Sequence, residues 1–360
     1  MSPQDFAERV KSAAANGLAL RIRGGGSKDF YGLAPRGEVL DTRAFGGISE
    51  YEPTELVVTA RAGTPLVELE AALAAHGQML PFEPPHFSGA ATLGGAVACG
   101  LSGPRRAANN GYYGAVRDYV LGVKMVDGKG EVLSFGGQVM KNVAGYDVSR
   151  MMAGAMGTLG LILEVSLKVL PRPVATRTLR LTMADPAAVI RTLNEWGGKP
   201  LPITATTWSD GDLRVRLEGA RAAVDSASRH LGGSPVDEAQ AQAFWRGVRD
   251  QSDPFFSGDA PLWRISVPST AMPPALPGRA FIEWGGALRW LATDAPAAEV
   301  RRAALHAGGH ATLFRAADEL KRAAGVFAPL DPVLARIHRK LKSAFDPKGV
   351  FNPGRMYPDF

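Results

Sequence analysis

Apolar residues in the first half of the chain recur at several different periods, so this half is predicted to mix helices, strands and loops. Phe6, Val10 and Ala14 recur at helical spacing after Ser2-Pro3, which predicts a helix ending near Asn16-Gly17. A second helix is expected to begin with Thr64 as its N-cap. Residues 161–169 alternate between apolar and polar, as in a strand with one buried face. Further strands are predicted at 18–23, 39–41, 48–52, 56–60, 116–126 and 131–135, with the last two joined by a turn at 127–130.

In the second half of the chain, the predicted strands and helices follow a more regular order. Strand, helix, two strands and a helix are predicted in turn between residues 178 and 231, an order typical of a ferredoxin-like α+β layer. A rougher second copy is predicted over 238–314. A last helix begins at Asp331-Pro332, and a closing turn at 347–355 is expected to return to the first domain. We therefore divide the chain into domains at 1–173 and 174–328, with a C-terminal helix and turn at 329–360.

Residues 83–118 interrupt this pattern. Glycines and prolines are so frequent there that we predict an irregular segment without a helix, and its apolar residues favour a binding loop over a disordered linker. Closely spaced glycines let backbone N–H groups approach a ligand, and a diphosphate is the commonest anion bound in this way. Glycine-rich stretches at 23–28 and 140–160 are expected to complete the same site. Three such stretches in order predict a site for a phosphorylated ligand.

Charge and composition narrow the functional classes. The net charge of +6 suits an anionic ligand or an acidic partner, but the basic residues are scattered, which argues against nucleic acid. Cys99 is the only cysteine, so the chain has no intrachain disulfide and no cysteine-ligated iron–sulfur cluster of its own. The first residues lack an apolar signal core, and no run reaches membrane-spanning length. We expect a cytoplasmic protein that could lie at the inner membrane through partners.

Other ligand motifs fit poorly. A nicotinamide site needs a strand, G-x-G-x-x-G, a helix and a later acid, and Gly24-Gly25-Gly26 lacks that spacing. No Gly-Lys-Ser/Thr follows a correctly spaced glycine, which excludes a P-loop. His306 and His310 lie four residues apart, but a metal needs three or four ligands and no further ligand is suggestively close. We therefore expect no metal site.

Several long motifs carry a family resemblance. RGGGSKDFYG, PPHFSGAATLGGAVACGLSGPRR, GAVRDYVLGVKMV, QVMKNVAGYDVSRMMAGAMGTLGLILEVSLKVLPRP and DPKGVFNPGRMYP occur in this order. The set resembles the FAD-linked oxidases of the vanillyl-alcohol-oxidase type, and among them the FAD-binding subunits of bacterial glycolate oxidase. The resemblance is close over about 18–173 and looser over 263–289 and 330–358. It implies an α+β fold with a PCMH-type FAD-binding domain of two subdomains and a ferredoxin-like cap domain.

The resemblance also assigns residues to FAD. In the third glycine-rich stretch, Lys141, Asn142, Gly145 and Tyr146 match the family's KN-x-x-GYD segment. Ser27-Lys28-Asp29 stands where some members carry a histidine that binds FAD covalently, so non-covalent FAD is expected. The cofactor-binding residues implied are Arg23, Gly24, Gly25, Gly26, Ser27, Lys28, Pro85, Gly89, Thr92, Gly94, Gly95, Ser102, Gly157, Thr158, Gly160 and Ile162.

For function, the resemblance implies one flavin subunit of a complex that oxidises glycolate. A catalytic FAD subunit and an iron–sulfur subunit would be its partners, and the chain alone would be weak or inactive. Related D-2-hydroxyacid dehydrogenases carry H-x-G-D-G-N-x-H in the cap, whereas this chain has only His306 to His310 without the acid. Two alternatives stay open: a self-sufficient FAD-dependent dehydrogenase for a small 2-hydroxyacid such as D-lactate, and a non-catalytic FAD scaffold.

Catalytic residues are unknown at this level, and four candidates are named. Arg264 and Arg289 lie in predicted cap strands beside tryptophans, and we hypothesise that one of them faces the flavin. His86 lies beside the central loop, and His310 is the second of the paired cap histidines. A structural role is at least as reasonable for each histidine.

Overall fold

The computed structural model describes residues 1–107, 114–137 and 146–360. Lys141, Asn142 and Gly145, which the family resemblance singled out, lie outside the described residues. Up to residue 171 the elements are α1 Pro3–Asn16, β1 Leu20–Arg23, β2 Glu38–Asp41, β3 Ile48–Glu52, β4 Val57–Arg61, α2 Leu66–Ala75, β5 Gln78–Met79, α3 Leu93–Cys99, α4 Val116–Tyr119, β6 Val120–Val126, β7 Val132–Gly136, α5 Val148–Met152, β8 Leu161–Lys168 and β9 Leu170–Pro171.

The described residues of this first part form a five-stranded sheet and two small two-stranded sheets, one of which is the antiparallel pair of β5 and β9. Strands β3-β4-β8-β6-β7 form an antiparallel sheet, while β1 and β2 pair in parallel as a separate small sheet. Helix α1 begins as predicted, because Ser2 and Asp5 form a reciprocal capping box, and it ends at Gly17 with a left-handed φ of 64°. The predicted hairpin of β6 and β7 is present, although its first residues form the short helix α4.

The predicted N-cap of α2 is wrong. Pro65 occupies the N-cap position and α2 has no side-chain cap. The Thr64 hydroxyl instead accepts from the Gly47 N–H at 2.9 Å and donates to the Arg61 carbonyl at 2.7 Å. Thr64 therefore joins two loops, rather than starting the helix.

The prediction that the central segment contains no helix is also wrong. Thr92 is the N-cap of α3, and its hydroxyl accepts from the Gly95 N–H at 3.3 Å. Helix propensity does not predict α3, because glycine, a poor helix former, occupies two of its first three positions. Tertiary bonds compensate: the N–H groups of Leu93 and Gly94 donate to the carbonyls of Thr64 and Ala62.

The second part forms one antiparallel sheet of eight strands with helices on it. The elements are β10 Ala175–Thr182, α6 Pro186–Gly197, β11 Ile203–Ser209, β12 Asp212–Gly219, α7 Arg221–Leu231, β13 Ser234–Pro235, α8 Glu238–Asp250, β14 Leu262–Ser266, β15 Arg279–Glu283, β16 Leu288–Ala292, α9 Ala297–His306, β17 His310–Arg315, α10 Asp318–Ala324 and α11 Pro332–Phe345. The strand order is β13-β10-β12-β11-β15-β16-β14-β17. The predicted order of strands and helices is present, and the rougher second copy continues the same sheet because β11 pairs with β15.

The C-terminal segment contacts the first part of the chain. Leu341 and Phe345 of α11 pack against the core of the β3–β8 sheet, and Phe351 forms a parallel bridge with Leu20. The buried Lys342 ammonium donates to the Thr158 carbonyl at 2.8 Å and to Asp346 at 2.7 Å. These contacts support the expectation that the C-terminal segment returns to the first domain. The division of the chain at 173 and 328 stays a prediction. No helix among the described residues is long and apolar enough to cross a membrane.

Candidate functional site

A cleft of about 730 Å³ lies where the three glycine-rich stretches meet. Its floor comes from the loop after β1, the first turn of α3 and the loop before β8. Most of the residues predicted to bind the cofactor line this cleft, namely Arg23, Gly24, Gly25, Gly26, Ser27, Lys28, Thr92, Gly94, Gly95, Gly157, Gly160 and Ile162. The fold therefore brings together stretches that are more than a hundred residues apart in sequence.

The first loop presents a run of unused backbone donors. None of the N–H groups from Gly24 to Lys28 donates to an acceptor in the described part of the chain. Backbone N–H groups away from water are almost always paired in native proteins. Successive free N–H groups form a concave anion site, so a diphosphate fits this loop.

Lys28 adds a positive charge to the same wall. Its side chain is buried. Among the described residues, the close partners of its ammonium are the Ser27 hydroxyl at 3.3 Å and the Phe87 ring at 5.4 Å. Burial lowers the pKa of Lys28, opposed by the negative charge of Asp250. A buried ammonium without a carboxylate within ion-pair distance is costly unless a ligand supplies the anion.

The sequence prediction was that glycines let backbone N–H groups approach a ligand. At two positions the structure gives a different reason for glycine, which is close packing between the loops. A Cβ on Gly25 would lie 1.4 Å from the Ala90 carbonyl oxygen, and one on Gly24 would lie 2.3 Å from the Thr92 hydroxyl. These glycines are required because the first and second loops touch each other. Their N–H groups still line the cleft, but contact between the loops already excludes a side chain there.

Five of the described residues that the resemblance assigned do not line the cleft. Pro85 and Ser102 line a neighbouring cavity against the cap sheet. Gly89 is exposed, with no atom within 4 Å of a built Cβ. Thr158 is buried, and its hydroxyl donates to the Ala155 carbonyl at 2.7 Å. Tyr146 is 96% exposed. A cofactor role for these residues stays a prediction.

The closing turn contributes cleft residues that the sequence reasoning did not assign. Asn352 accepts from the Ile22 N–H at 2.9 Å and donates to the Met156 carbonyl at 2.7 Å, so it joins the first and third glycine stretches. Arg355 donates to the carbonyls of Lys28 and Asp29, which holds the first loop. Both residues line the cleft and lie in the motif DPKGVFNPGRMYP. Because this motif is part of the family resemblance, it was the sequence signal that could have identified them.

The two arginine candidates lie on opposite faces of the cap sheet. In the register of β14 and β16, Arg289 pairs with Ile265 and Trp290 pairs with Arg264. Because neighbouring residues of a strand alternate between faces, Arg264 lies on the same sheet face as Trp290 and Phe314. This face packs against Tyr31 and Leu101 of the first domain.

Arg289 lies on the other face and has a structural role. It donates to the carbonyls of Gly286 at 3.1 Å and Met272 at 2.8 Å, and also to that of Ala271. Burial lowers the pKa of Arg289 to about 10. Arg289 therefore lies on the sheet face away from the first domain. The hypothesis that Arg264 or Arg289 faces the flavin stays a prediction, and this geometry favours Arg264.

The histidine candidates are away from the cleft lining. His86 is held by Glu70, with Nε2 and Oε1 3.2 Å apart, while its backbone N–H donates to Asp250 at 2.8 Å. This geometry indicates that His86 anchors the central loop to α8. His310 is exposed on the edge strand β17. Among the described residues, no group of three or more His, Cys, Asp or Glu side chains could hold a metal ion.

A buried ionic cluster joins the central loop to the cap. The Glu83 carboxylate receives a bidentate pair of bonds from Arg216 of β12, both at 3.0 Å. Arg105 lies 3.4 Å from Glu83 and donates to Glu218 at 2.8 Å. Burial raises the pKa of Glu83, but Arg105 and Arg216 together lower it by more, to about 2. The cluster holds the loop beside the cleft against the cap sheet.

The fold and the cleft define a class: an FAD-binding oxidoreductase with a cap domain. The FAD binding domain family matches residues 1–136. The glycolate oxidase subunit GlcE of Escherichia coli (strain K12) is 50% identical over 99% of this chain and 97% of its own length. The chain therefore belongs to the PCMH-type FAD-linked oxidase family, in the branch that includes this GlcE subunit.

Two more distant relatives each match only about half of this chain. The glycolate oxidase subunit GlcD of Bacillus subtilis (strain 168) is 30% identical over 58% of this chain and 44% of its own length. A D-lactate dehydrogenase of Archaeoglobus fulgidus is 31% identical over 45% of this chain and 36% of its own length. A solved alkyldihydroxyacetonephosphate synthase matches 97% of this chain and 74% of that one at 16% identity, with a TM-score of 0.65, and shares the fold. FAD is the cofactor of the family, and the free N–H groups and Lys28 fit it.

Proposed function

We propose that this chain is the FAD-binding subunit of a glycolate oxidase complex and takes part in oxidising glycolate to glyoxylate with partner subunits. The likeness to the GlcE subunit over nearly the whole length of both chains carries this proposal. The partners would be a second flavin subunit, similar to GlcD, and an iron–sulfur subunit, because the single cysteine of this chain cannot hold a cluster. The complex would be cytoplasmic and could contact the inner membrane through those partners.

Bound FAD would supply two-electron redox chemistry, and the residues of this chain would hold and orient it. The N–H groups of 24–28 and Lys28 would bind its diphosphate, and Asn352 and Arg355 would hold the first loop in position. The cap sheet would exclude water from the side that it covers.

Non-covalent attachment is part of the proposal. No histidine lines the cleft in the part of the chain that the structure describes. Cys99 does line it, but burial raises the pKa of its thiol, which keeps the thiol protonated and weakly nucleophilic. FAD should therefore be released intact when the protein is denatured with acid.

Purifying the chain and titrating it with glycolate without oxygen tests the proposal. We expect FAD near one per chain, released by acid, whose absorbance glycolate bleaches only after the partner subunits are added. Rapid bleaching of the chain alone would favour a self-sufficient dehydrogenase. Absence of flavin after careful purification would favour a scaffold and contradict the proposal.

A further inference from the structure

The outer side of helix α11 carries apolar side chains that the fold leaves uncovered. Val333, Leu334 and Ile337 are 53%, 46% and 46% exposed. Ile337 lies three residues after Leu334 and four after Val333, so the three side chains are neighbours on one helix face. Single exposed apolar residues are common on protein surfaces, whereas contiguous ones mark contact sites. We call these three residues the α11 patch.

The inner side of α11 is anchored to the rest of the chain. Leu341 and Phe345 pack against the core of the five-stranded sheet. The ring of His338 lies 6.3 Å from the ring of Tyr357, and the buried Lys342 ammonium donates to backbone carbonyls. Because these contacts fix the helix, it cannot rotate to bury the patch. The α11 patch is therefore a permanent part of the protein surface.

Basic side chains border the α11 patch. Lys340 lies one helix turn after Ile337, and Arg336 lies one turn after Val333. Both basic residues are exposed, and among the described residues neither forms an ion pair within 4 Å. Protein interfaces combine an apolar centre with a polar rim, and opposite charges across the rim steer association. A surface that fits the α11 patch therefore has apolar side chains bordered by carboxylates.

The charge and shape of the patch favour a different protein over a second copy or a bilayer. A symmetric dimer through this face would bring the basic borders of two copies together, which is unfavourable. Helices that lie on bilayers have a broad apolar face, commonly with Trp or Phe. The α11 patch has three aliphatic residues, and the inner side of the helix is occupied by the chain itself.

We propose that the α11 patch is the docking surface for a partner subunit that presents apolar side chains bordered by carboxylates. This inference rests on the proposed function, since it says where a subunit of the complex binds. Lys342 of the same helix holds the third glycine-rich stretch through the Thr158 carbonyl at 2.8 Å. The partner would therefore be held on the domain that forms the cofactor cleft.

The test is the affinity of the purified full-length chain for the purified partner flavin and iron–sulfur subunits, measured by biolayer interferometry. We expect Leu334→Glu to weaken binding at least about thirtyfold, as loss of a central interface residue does. Glutamate is favourable near a helix N-terminus, so flavin absorbance and melting temperature should stay close to those of the wild type. Ile337→Glu should weaken binding similarly and tests the patch away from the helix start.

The charged border has a separate readout. Lys340→Glu should slow association, and the difference from the wild type should shrink at high salt, because salt screens exposed charges. The matched controls are on α9 of the cap, where Leu305 is 71% exposed and Arg302 is also exposed. Leu305→Glu and Arg302→Glu make the same chemical changes away from α11 and should leave binding unchanged.

Equal binding by the wild type and by folded Leu334→Glu would overturn this inference alone. No binding by the wild type would contradict the proposed function and this inference together. Sedimentation with phosphatidylglycerol vesicles and sedimentation velocity of the chain alone test the other occupants. Vesicle binding that Leu334→Glu abolishes, with partner binding retained, would assign the patch to a membrane. A wild-type dimer that Leu334→Glu dissociates, again with partner binding retained, would assign it to a second copy.

Discussion

Replacing Glu83 with Gln should destabilise the chain by about 3 kcal/mol at pH 7. The pKa of Glu83 is lowered from 4.5 to about 2 in the folded protein. Each pKa unit corresponds to about 1.4 kcal/mol of differential interaction, which gives this magnitude. Gln keeps the shape of the side chain but leaves Arg105 and Arg216 with one carboxylate, Glu218, between them. Removing one partner from a buried ionic cluster has effects of this size.

The same pKa shift determines how the stability difference between the two proteins changes with pH. The folded pKa lies below the unfolded value, so the contribution of Glu83 is complete above pH 4.5 and is lost as the pH falls toward 2. Guanidinium unfolding of the wild type and Glu83→Gln should therefore converge in that interval. Glu55→Gln, at an exposed site, is the control and should have little effect. A difference below about 1 kcal/mol at pH 7, or one that does not shrink with acid, would refute the reasoning.

The other predictions concern the cleft and the cavity beside it. Gly25→Ala should force the first and second loops apart and abolish FAD binding, whereas Gly89→Ala, which meets no atom within 4 Å, should keep FAD in the absorbance spectrum. Lys28→Met should weaken FAD binding at least about tenfold in a fluorescence titration without lowering the melting temperature, because it removes a buried charge that has no ion-pair partner among the residues the structure describes. For Glu283 the folded pKa of about 7 lies above the unfolded 4.5, so stability falls as pH rises through this interval. Glu283→Gln should be more stable than the wild type by about 2 to 3 kcal/mol at pH 8, and equal stability there would show that Glu283 ionises freely.

The order of helices and strands is largely determined by local sequence. Capping and periodicity act over a few residues, so α1 and the strands of the cap could be predicted before any contact was known. The glycine-rich stretches and the resemblance likewise located most of the cleft residues. Helix α3 is an exception, because its glycines disfavour a helix and bonds to residues 62 and 64 support it.

Tertiary structure decided which residues share a surface. Alternation puts Arg264 and Arg289 on one face or the other of their own strands, but only the register of β14 with β16 shows that these faces are opposite. Similarly, the ionic partners of Glu83 lie 22 and 133 residues away, a separation that no local pattern encodes. Sequence determined the elements because their rules are local. In contrast, the N–H donors of residues 24–28 that have no acceptor among the described residues are defined only by what surrounds them in the folded chain.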